Sequence, residues 1–329
     1  MEIKYIGKSK EELKEFMEIE GNIISENELQ NPDHLILLFD GAEKVGRVAL
    51  WEKENNVMYF GHLYVKDNNE KSQIYISTLM NSIEKVSKEE DFKKIIGPIN
   101  KNTWNKYRLV KKNLNDKINP FFLEVTTPIN WYESIVSCGY SNLATYYSSI
   151  IEDASSINNS VSNEKTFEIE QEYYCKDLND LKFEDMIDII YETTVRSFKD
   201  NYLYEEITKE EFIILYTGIE KYLVKEMMII IYERNTGEPV GYAFGIPEFN
   251  ELLQTGKTER SILKTLGILE NHQGKGLGTY LVNKFSSASI KNGFSSIILA
   301  FMHESNHSKQ ISDKSANIIR EYALLVKGI

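Results

Sequence analysis

The segment His272-Gln273-Gly274-Lys275-Gly276-Leu277-Gly278 sits between a strand-like run, 261 to 269, and a helical pattern with Leu277, Leu281, Phe285 and Ala288 on one apolar face. Closely spaced glycines cost backbone entropy, and they let a chain turn tightly while leaving amide N–H groups uncovered. At the start of a helix, those amides and the helix dipole form a cradle for a phosphate or pyrophosphate. The chain is therefore expected to hold an anion where this strand feeds this helix.

Spacing decides between kinds of anion loop. A nucleoside-triphosphate loop needs G-x-x-x-x-G-K-[ST], whereas Gly274-Lys275 is followed by Gly276 and has no glycine five positions before it. A dinucleotide fingerprint needs G-x-G-x-x-G on the first strand of its domain, and this segment reads G-x-G-x-G on a later one. What remains is Q-x-x-G-x-G, Gln273 to Gly278, after the strand LKTLGI.

Composition narrows the class. A chain of 329 residues exceeds what one core usually organises, so two domains are expected. With 38 basic against 50 acidic side chains the net charge is -12, which repels nucleic acid. No apolar run reaches the length of a membrane span, and the N-terminal MEIKYIGKSKEELKEF turns charged where a leader needs its apolar core. Cys138 and Cys175 can form no disulfide framework and suit no metal site, so a reducing, cytoplasmic setting is expected.

The segment Asp153 to Glu164, DASSINNSVSNE, is rich in Ser and Asn and reads as a linker. It divides the chain into residues 1–152, a linker at 153–164 and a second domain at 165–329. Before it come strands near 35–39, 45–51, 57–65 and 94–99, helices near 73–86 and 131–138, and a strand at 142–151. After it the order recurs: strand 166–173, helices 178–196 and 209–222, strands 226–233, 239–246 and 261–269, helix 276–291 and strand 295–302. The expected fold class is α/β with mixed sheets, one architecture used twice, each copy a mostly antiparallel sheet flanked by helices.

The strand, Q-x-x-G-x-G loop and helix, followed by the apolar strand 295–302, closely resemble the acetyl-CoA segment of the GNAT N-acetyltransferase superfamily. The resemblance covers 166 to 308, and the first half resembles the N-terminal halves of tandem GNAT proteins. It implies that acetyl-CoA is the co-substrate, with backbone groups of Leu266, Gly267 and Ile268 holding the pantetheine arm and thioester carbonyl. Gln273, Gly274, Lys275, Gly276, Leu277, Gly278 and Thr279 would hold the pyrophosphate, and Asn306 and Ser308 would lie beside the thiol. The implied function is N-acetyl transfer to a primary amine of a small molecule or peptide by direct attack in a ternary complex. Neither nucleic acid nor membrane is expected as a partner.

The family often places a glutamate on the strand before the loop, but Ser261 to Leu266 holds no carboxylate. Glu270, Glu304 and His303 are the candidates for a base acting through water, Asn306 is a further candidate, and Tyr322 is the candidate acid for the thiolate. In the first half the corresponding loop reads KDNNEKSQIY, without glycine and with Asp67 and Glu70 to repel a pyrophosphate, so a degenerate domain without cofactor is expected. Trp104, Tyr107 and Arg108 are candidates to line a substrate cleft, and the acidic surface favours a cationic acceptor. Two other functions compete. One is a non-catalytic acyl-CoA-binding scaffold, and the other is a zinc hydrolase using His303-Glu304-Ser305-Asn306-His307, which has the H-E-x-x-H pattern but follows a strand-like run. No metal is expected.

Overall fold

The computed structural model describes residues 1–66, 71–159, 161–217, 223–305 and 316–329. The chain begins β1 (Glu2–Ile6), α1 (Lys10–Met17), β2 (Glu18–Ile19), β3 (Asn22–Ile23), α2 (Glu26–Leu29), β4 (His34–Asp40), β5 (Glu43–Lys53), β6 (Val57–Val65), α3 (Ser72–Glu89), β7 (Lys94–Gly97), β8 (Leu109–Asn113), α4 (Ile129–Ser137) and β9 (Ser141–Ile151). It continues α5 (Asn163–Glu172), β10 (Tyr173–Lys176), α6 (Phe183–Phe198), α7 (Lys209–Tyr216), β11 (Met228–Glu233), β12 (Pro239–Pro247), α8 (Phe249–Thr255), β13 (Arg260–Ile268), α9 (Leu277–Lys291), β14 (Ser296–His303) and β15 (Asn317–Gly328). Among the described residues no helix is long and apolar enough to cross a membrane.

Two compact units emerge. Unit 1 comprises 1–113, 125–145 and 321–329, and unit 2 comprises 114–124 and 146–320. These differ from halves cut at 152 and 165. The last strand, β15, gives most of its length to unit 1, where Leu325 to Gly328 pair antiparallel with β7. The end of β9 belongs to unit 2, where Tyr146 to Ile151 pair with β14. A linear sequence reading assigns each strand to the half that contains it, whereas pairing assigns it to the strand it hydrogen-bonds.

Within each unit the order of strands is the same. In unit 1 it runs β1, β4, β5, β6, β7, β15, antiparallel throughout except for the parallel pair β6–β7. In unit 2 it runs β10, β11, β12, β13, β14, β9, with β13–β14 the parallel pair. A parallel pair needs a crossover, which α3 supplies in unit 1 and α9 in unit 2. The helices fit because their apolar stripes recur at the helical period. Ile76, Leu79, Met80 and Ile83 of α3, and Leu277, Leu281 and Phe285 of α9, are at most 1% exposed.

The expected linker is structured. Residues Ala154–Asn159 form a 3₁₀ helix whose Ala154 and Ile157 are buried in the unit 2 core, and Ser286 of α9 donates its hydroxyl to the Ala154 carbonyl at 2.6 Å. The strand expected at 166–173 is helix α5 through Glu172, capped by Ser162 with Phe167 exposed and Ile169 buried, and strand begins only at Tyr173 in β10. The Glu and Lys content of α5 favours helix, and alternation over so short a run misled the period. The helix expected at 209–222 is described only as α7, because 218–222 lie outside the described residues.

Residues 114–124 join unit 2 through polar contacts. Arg320 Nε stands 2.8 Å from Glu124 Oε1 with both side chains at most 5% exposed, and Arg320 Nη2 donates to the Ile118 carbonyl. Phe122 N donates to Glu248 Oε1 at 2.7 Å, the carboxylate that also caps α8. Breaking a buried pair by removing one partner costs about 3–5 kcal/mol. Arg320→Met is therefore expected to lower the urea-unfolding free energy by about that amount, and a loss within about 0.5 kcal/mol, the range of ordinary surface substitutions, would show that this pair does not anchor the segment.

Candidate functional site

In unit 2, parallel pairing of β13 with β14 runs from Arg260↔Ser296 to Leu263↔Leu299 and stops. Pairing of β13 with β12 continues to Ile268↔Gly241, with a register irregularity that falls at Lys264. On the far side, β14 has its own irregularity against β9 between Leu299 and Met302, and Phe301 takes a φ of +56°. The two strands thus separate toward their C-terminal ends. Among the described residues, no strand pairs with the edge of β13 that faces the gap beyond Leu263. Leu266, Gly267 and Ile268 lie on this stretch. A buried backbone edge needs partners, and an extended ligand arm can supply them as an added strand does.

The loop closes the same end. After Leu269 a 3₁₀ turn, Glu270–His272, leads through Gln273 and Gly274 to α9. Gly274 and Gly276 have φ of +77° and +87°, a region that favours glycine. Gly276 is the N-cap of α9, and no side chain caps the helix there. A Cβ built on Gly274 would meet nothing within 4 Å, so the loop is open above it. Uncapped amides, an open approach and the positive end of α9 fit an anion. Gly278 and Thr279 lie in the first turn of α9, while Leu277 is buried as a core anchor rather than presented to the loop. Gln273 braces the turn by donating from Nε2 to the Ile268 carbonyl at 3.0 Å.

Lys275 does not extend freely from the loop. Its ammonium donates to Tyr173 Oη at 2.9 Å, and that phenol lies 3.0 Å from His272 Nδ1. The hydrogen bond to Tyr173 raises the lysine's pKa, so it stays charged. Sequence reasoning missed Tyr173 because its partner Lys275 comes from a distant part of the chain.

The proposed acid–base residues are scattered. Glu270 opens the 3₁₀ turn, is exposed, and stands 3.6 Å from Lys199. His303 ends β14, and Glu304 follows in a turn. The first residues of HESNH therefore are not helical, and His307 lies outside the described residues. Among the described residues no group of His, Cys, Asp or Glu could hold a metal ion. Asn306 and Ser308 lie outside the described residues. Tyr322 is fully buried in the part of β15 that belongs to unit 1. Trp104, Tyr107 and Arg108 also belong to unit 1, where the Arg108 guanidinium stacks 3.8 Å from the Tyr107 ring centre and Arg108 N donates to the Pro98 carbonyl.

Unit 1 repeats the parting of strands with a different outcome. Its parallel pairs end at Tyr59↔Ile96. Ile99 N then donates to the Phe60 carbonyl at 2.7 Å, and His62 N donates to Asn100 Oδ1 at 2.8 Å. The edge of β6 is met by the chain itself. A Cβ on Gly61 would stand 2.4 Å from Asn100 Oδ1 and 2.6 Å from the Ile99 carbonyl, so only glycine permits this approach. Burial pushes the His62 imidazole down to about 4, leaving it neutral. Asp67 and Glu70 lie outside the described residues.

One side chain near the unit 2 gap was passed over in the sequence. Lys264 follows the last β13–β14 pair, while Leu263 and Leu266 pack into the core under α9. Its ammonium lies 5.7 Å from the Tyr216 ring centre of α7 and 5.9 Å from that of Phe244. The residue keeps some solvent access, yet its charged end is enclosed enough that burial lowers its pKa. Gly267 also faces α6, since a Cβ there would meet Ser197 Oγ and Tyr242 Cε1 at 3.1 Å. Tyr242 Oη and Thr194 Oγ1 pair at 2.7 Å beneath, and burial raises the phenol's pKa. The signal available in the sequence is a lysine inside the otherwise uncharged run Ser261 to Leu269.

Residues 184–310 match the acetyltransferase (GNAT) family. Among solved structures the chain is similar to a GCN5-related N-acetyltransferase from Sphaerobacter thermophilus, at 10% identity and a TM-score of 0.53 over 89% of this chain and 80% of that one. It is similar to a tandem GNAT protein from the clavulanic acid biosynthesis pathway, at 11% identity and 0.51 over 91% and 84%. It is also similar to a GCN5-related glucosamine N-acetyltransferase region of a fungal multi-domain GH3 β-N-acetylglucosaminidase, at 13% and 0.56 over 92% of this chain and 34% of that one. At these identities the likeness is one of fold. No curated protein matches the sequence significantly.

The lowered pKa of Lys264 carries a sign. Its native pKa lies below the unfolded one, so the unfolded chain is the stronger proton binder between the two and stability rises with pH there. Lys264→Met is expected to raise the thermal midpoint near neutral pH, and its advantage should shrink as pH climbs toward lysine's ordinary value. A midpoint equal to or below that of the parent at neutral pH would show that the ammonium is not held at a cost.

Proposed function

We propose, for a chain that belongs to the GNAT acetyltransferase family, that unit 2 transfers the acetyl group of acetyl-CoA to a primary amine of a small molecule or peptide by direct attack in a ternary complex. The observation that carries this reading is the coincidence at one end of β13 of a strand edge that no described strand pairs and a helix start without a side-chain cap, reached through Gly274 and Gly276. Acetyl-CoA supplies an acyl group activated as a thioester.

The chain's own groups divide the work. Amides of 274–279 would meet the pyrophosphate, and Lys275, held charged by Tyr173, would add a cation at the rim. The edge of Leu266 to Ile268, which no described strand pairs and whose Ile268 carbonyl Gln273 already meets, would align the arm and offer N–H groups to the carbonyl oxygen, where negative charge develops as the amine attacks. Attack needs the amine neutral, and β13 offers no carboxylate to take its proton. Glu270, in water and beside Lys199, and Glu304, in the turn after β14, are left to act through solvent. Tyr322, the candidate acid, is fully buried in β15. We assign the cofactor to unit 2 alone, because residues 98–100 occupy the equivalent edge of β6. The two cysteines are free, in keeping with a cytoplasmic protein.

The absence of a strand carboxylate also favours a second reading, an acyl-CoA-binding protein without turnover. Acceptor-dependent release of free thiol from acetyl-CoA separates the two.

Calorimetric titration of the full chain with acetyl-CoA is expected to give a single site. Gly276→Glu, which puts a carboxylate and a strained φ in the cradle, is expected to abolish it. Two sites per chain would overturn the assignment to unit 2 alone, and binding undiminished in the variant would overturn the loop as the cradle.

A further inference from the structure

Lys264 is the anomaly of unit 2. Burying an ammonium is costly unless it is paired, and chains usually bury it beside a carboxylate. This chain has acidic groups in excess, 50 against 38 basic, and it pairs other lysines with them, such as half-buried Lys66 with Glu20 and Glu43, and exposed Lys71 with Asp40. Among the described residues no carboxylate pairs with Lys264, whose neighbours are the rings of Tyr216 and Phe244. Ring faces attract a cation but do not neutralise it. The enclosed charge is therefore poised for an anion brought from outside.

Its position says which molecule brings it. Lys264 follows the last parallel pair, so it borders the stretch Leu266 to Ile268 proposed to hold the thioester. It lies with α7 and Gly267 lies with α6, whereas Leu263 and Leu266 face α9. An acceptor reaching the thioester from the α6–α7 side of β13 meets this ammonium and the two rings.

We propose that Lys264, walled by Tyr216 and Phe244, is a subsite for a carboxylate of the acyl acceptor, so that the amine acylated here belongs to an amino acid or to a peptide that also presents a carboxylate. This rests on the transferase reading above and names its substrate class. The acceptor nitrogen forms a bond to the acyl carbon as the carbon–sulfur bond breaks. Of the two protons the ammonium loses, one ends on the CoA thiol and one in solvent. Lys264 takes neither; it fixes the acceptor's other end. The subsite departs from the cationic acceptor expected from net charge, because a desolvated local cation outweighs a screened surface field at contact distance.

The test pairs each of a panel of L-amino acids and dipeptides with its own carboxamide, measuring thiol release from acetyl-CoA. The acids are expected to exceed the amides in kcat/KM by about tenfold or more, mainly through KM, as losing a charge-assisted contact would give. Lys264→Met should bring that ratio toward unity, and Lys264→Arg should retain a preference for acids. Equal use of acids and amides by the parent, or a Lys264→Met variant that slows both alike, would overturn the proposal. A preference that instead follows the acyl group, succinyl-CoA over acetyl-CoA, lost in Lys264→Met with acids and amides equal, would also overturn it.

A second measurement is independent of turnover: calorimetric binding of N-acetyl amino acids against N-acetyl amino-acid amides in the presence of CoA. Tighter binding of the acids, lost in a Lys264→Met chain of parental circular dichroism, without turnover of any acceptor, would keep the subsite and sink the transferase reading. Equal binding would sink the subsite whatever the turnover.

Discussion

The parting of β13 from β14 after Leu263 and Leu299 is the constraint on which the site depends. Two parallel strands bridged by a helix would ordinarily stay paired along their shared length. Here each takes an irregularity on its other side, β13 at Lys264 against β12 and β14 at Phe301 against β9. Phe301 N donates to Ser148 Oγ, so a side chain of β9 meets backbone that the displaced ladder releases. Because β13 leads into the loop, α9 begins at the end where the strands diverge. The strand edge and the uncapped helix start thus face the same solvent by connectivity, without any further device.

The two units show what the same order of strands does when the gap has different occupants. In unit 1 the edge of β6 meets Ile99 and Asn100, and Gly61 and Gly97 make that approach sterically possible. A Cβ on Gly97 would stand 2.4 Å from the Phe60 carbonyl. In unit 2 no described strand meets the edge of β13 beyond Leu263, and glycines stand in the loop instead. Glycine permits a close approach of backbone to backbone in unit 1, and in unit 2 it supplies the positive φ with which the loop enters α9. Duplication of the architecture therefore need not duplicate the ligand.

Much of this was legible in the sequence where a local rule had no competitor. The loop was readable because three glycines between a strand and an apolar helical stripe admit few structures, and the alternation of elements gave the fold class. Membership of the units was not, since β15 joins β7 from the far end of the chain and β9 joins β14, and no local pattern encodes a long-range pairing. Ser and Asn at 153–164 looked like a linker, yet Ala154 and Ile157 were sufficient to bury a 3₁₀ turn against α9. Tyr173 and Lys264 escaped notice for another reason: their meaning lies in neighbours brought from elsewhere, Lys275 for the one and Tyr216 for the other. Propensity describes a residue's own backbone and is silent on partners.

Charge in this molecule acts on two scales. The excess of acidic groups sets a field that opposes an anionic CoA and attracts an ammonium, but salt screens it within about 8–10 Å. Contact-range cations must then do the holding. Lys275, kept charged by Tyr173, serves the loop, and Lys264, enclosed by two rings, serves the other face of β13. A molecule that carries both an ammonium and a carboxylate reads the two scales in turn, drawn by its amine over the surface and oriented by its carboxylate at contact. An acidic exterior and a half-buried lysine that no described carboxylate pairs are then complementary requirements on one acceptor, because the first governs encounter and the second governs which end faces the thioester.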